Sequence, residues 1–124
     1  MTYTLAIRSP QTNQIGVGIT TCSIAFGGQA PFYTNAGDLI VSQAFASAVD
    51  GYQLAAEISS GQTIEQGLTA LGKSDPNLSY RQILVMPVTG NPVAFTGENP
   101  RPWRGHILGA DFVCAGNVLA NAGV

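Results

Sequence analysis

Met1-Thr2-Tyr3-Thr4-Leu5-Ala6-Ile7-Arg8, followed after a polar gap by Ile15-Gly16-Val17-Gly18-Ile19-Thr20-Thr21, is the stretch that decides the fold. In the first run Tyr3, Leu5 and Ile7 fall on one side and Thr2, Thr4, Ala6 and Arg8 on the other, the period-two alternation of a strand. The gap Ser9-Pro10-Gln11-Thr12-Asn13-Gln14 reads as a turn. The second run resumes the alternation with Ile15, Val17 and Ile19, so the two make a hairpin. Residues directly opposite on paired strands share a face. The pairing read here joins the face of Thr2, Thr4 and Ala6 to Gly16, Gly18, Thr20 and Cys22, with Thr2 opposite either Thr20 or Cys22. Small polar side chains then surround the chain start, and the glycines leave room for something to approach the backbone.

Working outward, residues 23–35, with Gly27-Gly28 and Pro31, read as an irregular loop, and residues 38–44 as a third strand. Residues 52–58 and 64–71 have helical spacing. Gly61 stops the first of these, and Thr63 and Gly72 cap and terminate the second. After Asp75-Pro76, residues 80–88 and 92–97 are strands around Thr89-Gly90-Asn91, and Pro87 makes the first of them end early or run along an edge. A loop over residues 98–105 precedes short strands at 106–108 and 112–114. This order predicts an α+β fold, an antiparallel sheet carrying one helical layer. Residues 116–124 add no amphipathic element. The expectation is therefore a single domain over residues 1–124, completed by a partner chain or by a C-terminal half.

With 124 residues the chain is long enough to bury roughly two-thirds of its unfolded surface. Only 10% of it is charged, against about 25% in ordinary soluble domains, so Ser, Thr, Asn and Gln supply much of the polar surface, and such a surface suits a homo-oligomer. Five basic residues, spread singly in a chain of net charge −2, form no stripe for neutralising phosphates, which argues against nucleic acid. No apolar run reaches the length of a membrane span and no charged leader precedes one, so the chain reads as cytoplasmic and not membrane-bound. Cys22 and Cys114 lack the paired spacing of a zinc site or a disulfide scaffold and read as free thiols.

Several residues have the chemistry of a reacting group. Thr2, once Met1 is removed, would carry both a hydroxyl nucleophile and, in its own α-amine, a base of ordinary pKa about 8; a retained Met1 locks that amine in a peptide bond. Cys22 offers a better intrinsic nucleophile, or packs as a small strand residue. His106, the sole histidine, is the one side chain with an ordinary pKa suited to proton transfer near neutrality. It follows Pro100-Arg101-Pro102-Trp103-Arg104-Gly105, a segment able to wall a pocket through Trp103. Asn117 beside Gly116 could donate an amide to an oxyanion, while Gln43 and Thr96 are polar residues in apolar strands that need partners. No carboxylate cluster suggests a metal, and Gly16-x-Gly18 lies inside a strand, without the helix a nucleotide fingerprint needs, so no cofactor is expected.

Met1-Thr2-Tyr3-Thr4-Leu5-Ala6, Ile15-Gly16-Val17-Gly18-Ile19, Ser42-Gln43-Ala44, Arg81-Gln82, Phe95-Thr96-Gly97, Pro102-Trp103-x-Gly105-His106 and Gly116-Asn117-x-Leu119, in that order, resemble the domain-of-unknown-function family 1028, grouped with N-terminal-nucleophile (Ntn) hydrolases. The resemblance implies a four-layer αββα sandwich, of which this chain forms part or all, and hydrolysis of C–N (amide) bonds. The implied substrate is a small amide, cyclic amide or ureide. Thr2, His106 and Asn117 would be catalytic, with Thr20, Cys22, Gln43, Thr96 and Trp103 lining the pocket. Members commonly carry lysine where Cys22 stands and glutamine where Ala115 stands, and they continue beyond the Gly-Asn-x-Leu segment. Ntn hydrolases as a class self-cleave to free a new N-terminal Thr, Ser or Cys, so the nucleophile would be either Thr2 or the first residue of a second chain from the same precursor. The competing expectations are a non-catalytic binding or assembly protein and a hydrolase dependent on Cys22.

Overall fold

The computed structural model describes residues 1–124. In chain order its elements are β1 (Thr2–Arg8), β2 (Ile15–Thr21), β3 (Pro31–Tyr33), β4 (Leu39–Ala44), α1 (Ala48–Ser59), α2 (Ile64–Ser74), β5 (Arg81–Met86), β6 (Val93–Thr96), β7 (Gly105–Leu108) and β8 (Phe112–Asn117). The strands form two four-stranded sheets, one ordered β2-β1-β8-β7 and the other β3-β4-β5-β6, antiparallel throughout. The fold is thus α+β and antiparallel, as expected, with the two stacked sheets of the sandwich that the resemblance implied, where the residue pattern alone suggests one. The expected loop at 23–35 also holds a short 3-10 turn and β3. Pro87 has the anticipated effect of ending β5 at Met86, in the interior of its sheet.

The helices cover one face of the second sheet. Ser47 caps α1 by accepting the Asp50 N–H at 3.2 Å, and Thr63 and Gln66 cap α2 reciprocally, which supplies partners for amides that the first turn leaves free. Leu54, Ala55 and Leu71 then pack on Phe32, Ile40, Ile83 and Val85. Glycine permits the close approach: a Cβ on Gly51 would lie 2.2 Å from the Phe32 ring.

The other face of that sheet meets the first sheet. Ala6, Val113 and Ala115 oppose Leu39, Val41, Leu84 and Met86, with Phe26 and Ala30 closing one side. Small residues on one sheet against large ones on the other keep the interior filled without overpacking. The consequence reverses a simple hydropathy reading of β1. Thr2, Thr4 and Ala6 point inward, and Leu5 and Ile7 stand on the outer face, 45% and 50% exposed, with Ile107 at 66% on the same face beyond β8.

The hairpin register differs from both alternatives read from the sequence. Thr2 faces Thr21, Thr4 faces Ile19 and Ala6 faces Val17, so the inward side of β1 meets the apolar side of β2. The reason is the sandwich itself: Ile15, Val17 and Ile19 are needed against the core, which sends Gly16, Gly18 and Thr20 outward.

Arg8 fastens one end. Its guanidinium donates to the carbonyls of Pro87 and Gly90, both at 2.8 Å, and to that of Ala110 at 3.2 Å, and it pairs with Asp111 at 2.7 Å. The side chain therefore ties β1 of one sheet to the turn between β5 and β6 of the other. No helix is long and apolar enough to cross a membrane.

Candidate functional site

At the end of the sandwich away from Arg8 the interior turns polar. Gln43 follows Val41 by two positions in β4, and Gln82 precedes Leu84 by two in β5, so both amides point between the sheets. Neither is accessible to solvent, and Thr4 and Asn117 beside them are 1% and 3% exposed. Burying such groups without partners would cost about 1–3 kcal/mol each; here every one is satisfied.

The satisfaction runs through Gln82. Its Nε2 lies 2.9 Å from the Gly105 carbonyl oxygen, 3.1 Å from that of Gly116 and 3.0 Å from Thr96 Oγ1. Two backbone carbonyls can only accept, so this end of the amide must be the NH2. The Gln82 Oε1 then accepts from Gln43 Nε2 at 2.7 Å and from Asn117 Nδ2 at 3.2 Å. Gln43 Oε1 accepts in turn from the Thr4 hydroxyl. Beyond Gln82, Thr96 Oγ1 lies 2.8 Å from His106 Nδ1. The network crosses between the sheets several times and ends at the exposed edge formed by β6 and β7.

Thr2 opens the site at the other side. It is 7% exposed, its Oγ1 is 3.0 Å from Thr21 Oγ1, and it pairs in register with Asn117. The residues nominated from sequence therefore divide. Thr2, Gln43, Thr96, His106 and Asn117 belong to one continuous polar end, although His106 hydrogen-bonds to Thr96 and Thr2 to Thr21. Thr20 lies elsewhere: it pairs with Tyr3 and lines a shallow outer groove of about 350 Å³ with Leu5, Gly18 and Cys114. Cys22 is exposed just past β2, where its Sγ sits 3.8 Å from the Met1 ammonium. Trp103 is half exposed on the loop before β7, whose backbone is held by paired Trp103–Leu119 amides. Both cysteines are free thiols, and no three His, Cys, Asp or Glu side chains gather as a metal site.

The residues the sequence reading missed are Gln82, Thr4 and Thr21. The signal for Gln82 was its phase, two positions from an apolar residue of a buried strand, the same pattern that drew attention to Gln43.

Arg81, on the opposite face of β5, organises the strongest electrostatics. Its Nε sits 3.1 Å from Asp50 Oδ2 and 3.0 Å from Asp75 Oδ2, and its guanidinium also donates to the Phe45 carbonyl. Burial raises the Asp50 carboxyl above its ordinary 3.8, with Asp75 adding to the rise, although Ser47 and Arg81 oppose it. Asp75 also feels desolvation, but the Asn77 amide and Arg81 hold it below its ordinary value.

Comparison with known proteins bears on the whole chain. The model of a family described as "Family of unknown function (DUF1028)" matches residues 2–124. The crystal structure of protein SPO2555 from Silicibacter pomeroyi, assigned to the same family, superposes with a TM-score of 0.87 at 28% identity. The match covers 98% of this chain and 57% of that one, so the chain spans little more than half the length of that relative. No curated protein matches the chain.

Proposed function

The chain belongs to the DUF1028 family, and on that premise we propose that it is an Ntn-type amidohydrolase acting on a small amide, cyclic amide or ureide. The observation that carries this reading is the position of Thr2: first residue of an inner strand, hydroxyl turned into the polar end of the sandwich, Asn117 beside it in register. After removal of Met1, the freed α-amine would take the hydroxyl proton as Oγ1 attacks the substrate carbonyl. The amine leaving group departs with a proton, an ester to Thr2 remains, and water hydrolyses it to return the hydroxyl. Where Met1 is retained, the same site serves a nucleophile that begins a second chain of a self-cleaved precursor.

The bare outer face of the first sheet supports a further part of this reading. Leu5 and Ile7 on β1 and Ile107 on β7 are exposed on this face, on either side of β8, whereas the matching face of the other sheet is covered by α1 and α2. A second helical layer, from a C-terminal half or a partner chain, would complete the domain as αββα.

A second reading is favoured by one observation: one of the two N–H groups of the Asn117 side-chain amide donates inward to Gln82, which turns the group nominated for an oxyanion toward the interior. On that reading the chain is a binding or assembly protein on the same fold. A third would use Cys22, exposed beside the Met1 amine.

Intact-mass measurement and an amide-substrate screen test these together. Loss of Met1 with turnover that disappears in Thr2→Ala is the expected result. A second polypeptide beginning with Thr, Ser or Cys moves the nucleophile there. Turnover abolished by thiol alkylation selects Cys22, and no turnover across the screen selects the binding protein.

A further inference from the structure

The donors and acceptors of the polar network point one way. Thr4 donates to Gln43, Gln43 to Gln82, and Gln82 to Thr96. Gln82 Nε2 has two protons for three acceptors, the carbonyls of Gly105 and Gly116 and Thr96 Oγ1, and no lone pair to offer; toward it Thr96 is therefore an acceptor of a shared proton, and the Thr96 hydroxyl proton itself is left to be placed. Its other neighbour is His106 Nδ1 at 2.8 Å. A neutral ring with its proton on Nε2 gives that hydroxyl proton a partner within the protein, whereas the opposite tautomer makes Thr96 the acceptor and turns its proton out to solvent at this exposed edge. His106 Nε2–H, in turn, meets no protein acceptor and lies at the edge of a surface groove of about 590 Å³.

The groove has a definite chemistry. The half-exposed Trp103 indole offers a flat face. Arg104 donates to the carbonyls of Gly97 and Glu98, holding the loop, and its positive charge is offset by the negative charge of Glu98 in the same lining, so the groove carries no net charge. A flat, neutral group with a carbonyl acceptor fits these features.

We propose that His106 is an oriented hydrogen-bond donor for a small planar amide seated against Trp103, its tautomer fixed from inside the sandwich by Thr96. The amide class rests on the reading above; the tautomer does not. His106 then binds ligand on β7, across the single strand β8 from Thr2, and Gln82 and Thr96 are positioning residues.

The protein has one histidine and one tryptophan, so both reporters are unambiguous. In the intact chain, nitrogen NMR of the neutral ring should show the Nε2–H tautomer alone. Thr96→Val should release it to the mixture of free imidazole, and Thr96→Ser should restore it. Benzamide should shift both the His106 Nε2 proton and Trp103 emission, several-fold more weakly in Thr96→Val. A wild-type ring that is mixed or protonated on Nδ1 would overturn the proposal, as would benzamide that moves neither signal; neither result requires the variant to fold. Thr2→Ala should leave these signals in place, which separates failure of the hydrolase reading from failure of this one.

Discussion

Replacing Gln82 by methionine keeps the length of the side chain and removes its amide, and the consequences can be counted. Gln43 Nε2 would lose its 2.7 Å bond and keep only the 3.5 Å contact with the Ala115 carbonyl. Asn117 Nδ2 would lose the acceptor it now has at 3.2 Å, and the Gly116 carbonyl its 3.1 Å donor. These are three buried groups, so at about 1–3 kcal/mol for each one left unpaired, Gln82→Met should cost roughly 3–9 kcal/mol. That is a large share of the ~5–15 kcal/mol by which a domain is usually stable. Urea unfolding followed by circular dichroism measures it, as a fall in midpoint at unchanged slope. Adding Gln43→Leu removes one of the stranded groups. The double variant should then be less destabilised than the sum of the singles by about 1 kcal/mol or more. A single-variant cost under about 1 kcal/mol, or strict additivity in the cycle, would refute the hub assignment.

Gly97→Ala should be severely destabilising, because its Cβ would fall 2.1 Å from the Ser79 carbonyl oxygen, a backbone atom that cannot swing aside; Gly18→Ala, with open space at its Cβ, should unfold near wild type in the same urea titration. The raised Asp50 carboxyl favours the folded state while protonated, a contribution complete below its ordinary 3.8 and lost as pH rises through the higher folded value. Asp75, held low, contributes above its ordinary value and loses that contribution as pH falls through its lower folded one. Between neutral pH and the carboxylate range the wild type should therefore gain stability relative to Asp50→Asn, and urea midpoints that keep a constant gap across that range would contradict the burial argument. Arg81→Met leaves two carboxylates without their shared cation and should cost about 3–5 kcal/mol at neutral pH, measured by thermal melting, with acidification narrowing the deficit.

Much of the molecule could be read from alternation and punctuation. The existence of the β1–β2 hairpin, of both helices and of the strands around Pro87, and the Thr63 cap, follow from period, caps and breakers that act locally. Gly72, however, does not end its helix, which runs on to Ser74, and the first helix begins at Ala48, four residues before the expected start. The facing of β1 did not follow, because Leu5 and Ile7 outrank Thr2 and Thr4 on any hydropathy scale, and only the second sheet explains why Ala6 lies inside. The register error had the same source: pairing glycines with threonines is locally reasonable, but Ile15, Val17 and Ile19 are required at the core. For the polar end, Gln43 and Thr96 were visible as polar residues in apolar strands and Asn117 as an amide beside the flexible Gly116. Gln82 was not singled out as a site residue, because its importance comes from carbonyls of Gly105 and Gly116, far off in sequence and supplied by the other sheet.

Arg8 has a mechanical meaning for this arrangement. Fastened to three carbonyls and one carboxylate, it acts as the spine of a book whose two pages are the sheets. The opposite margin, at the Thr2 end, is stitched as well, by the Thr4, Gln43, Gln82 and Asn117 bonds that cross between the pages. With ties at both margins and an oily interior between them, the sandwich holds its polar end at a fixed spacing, so a guest there meets a preformed edge.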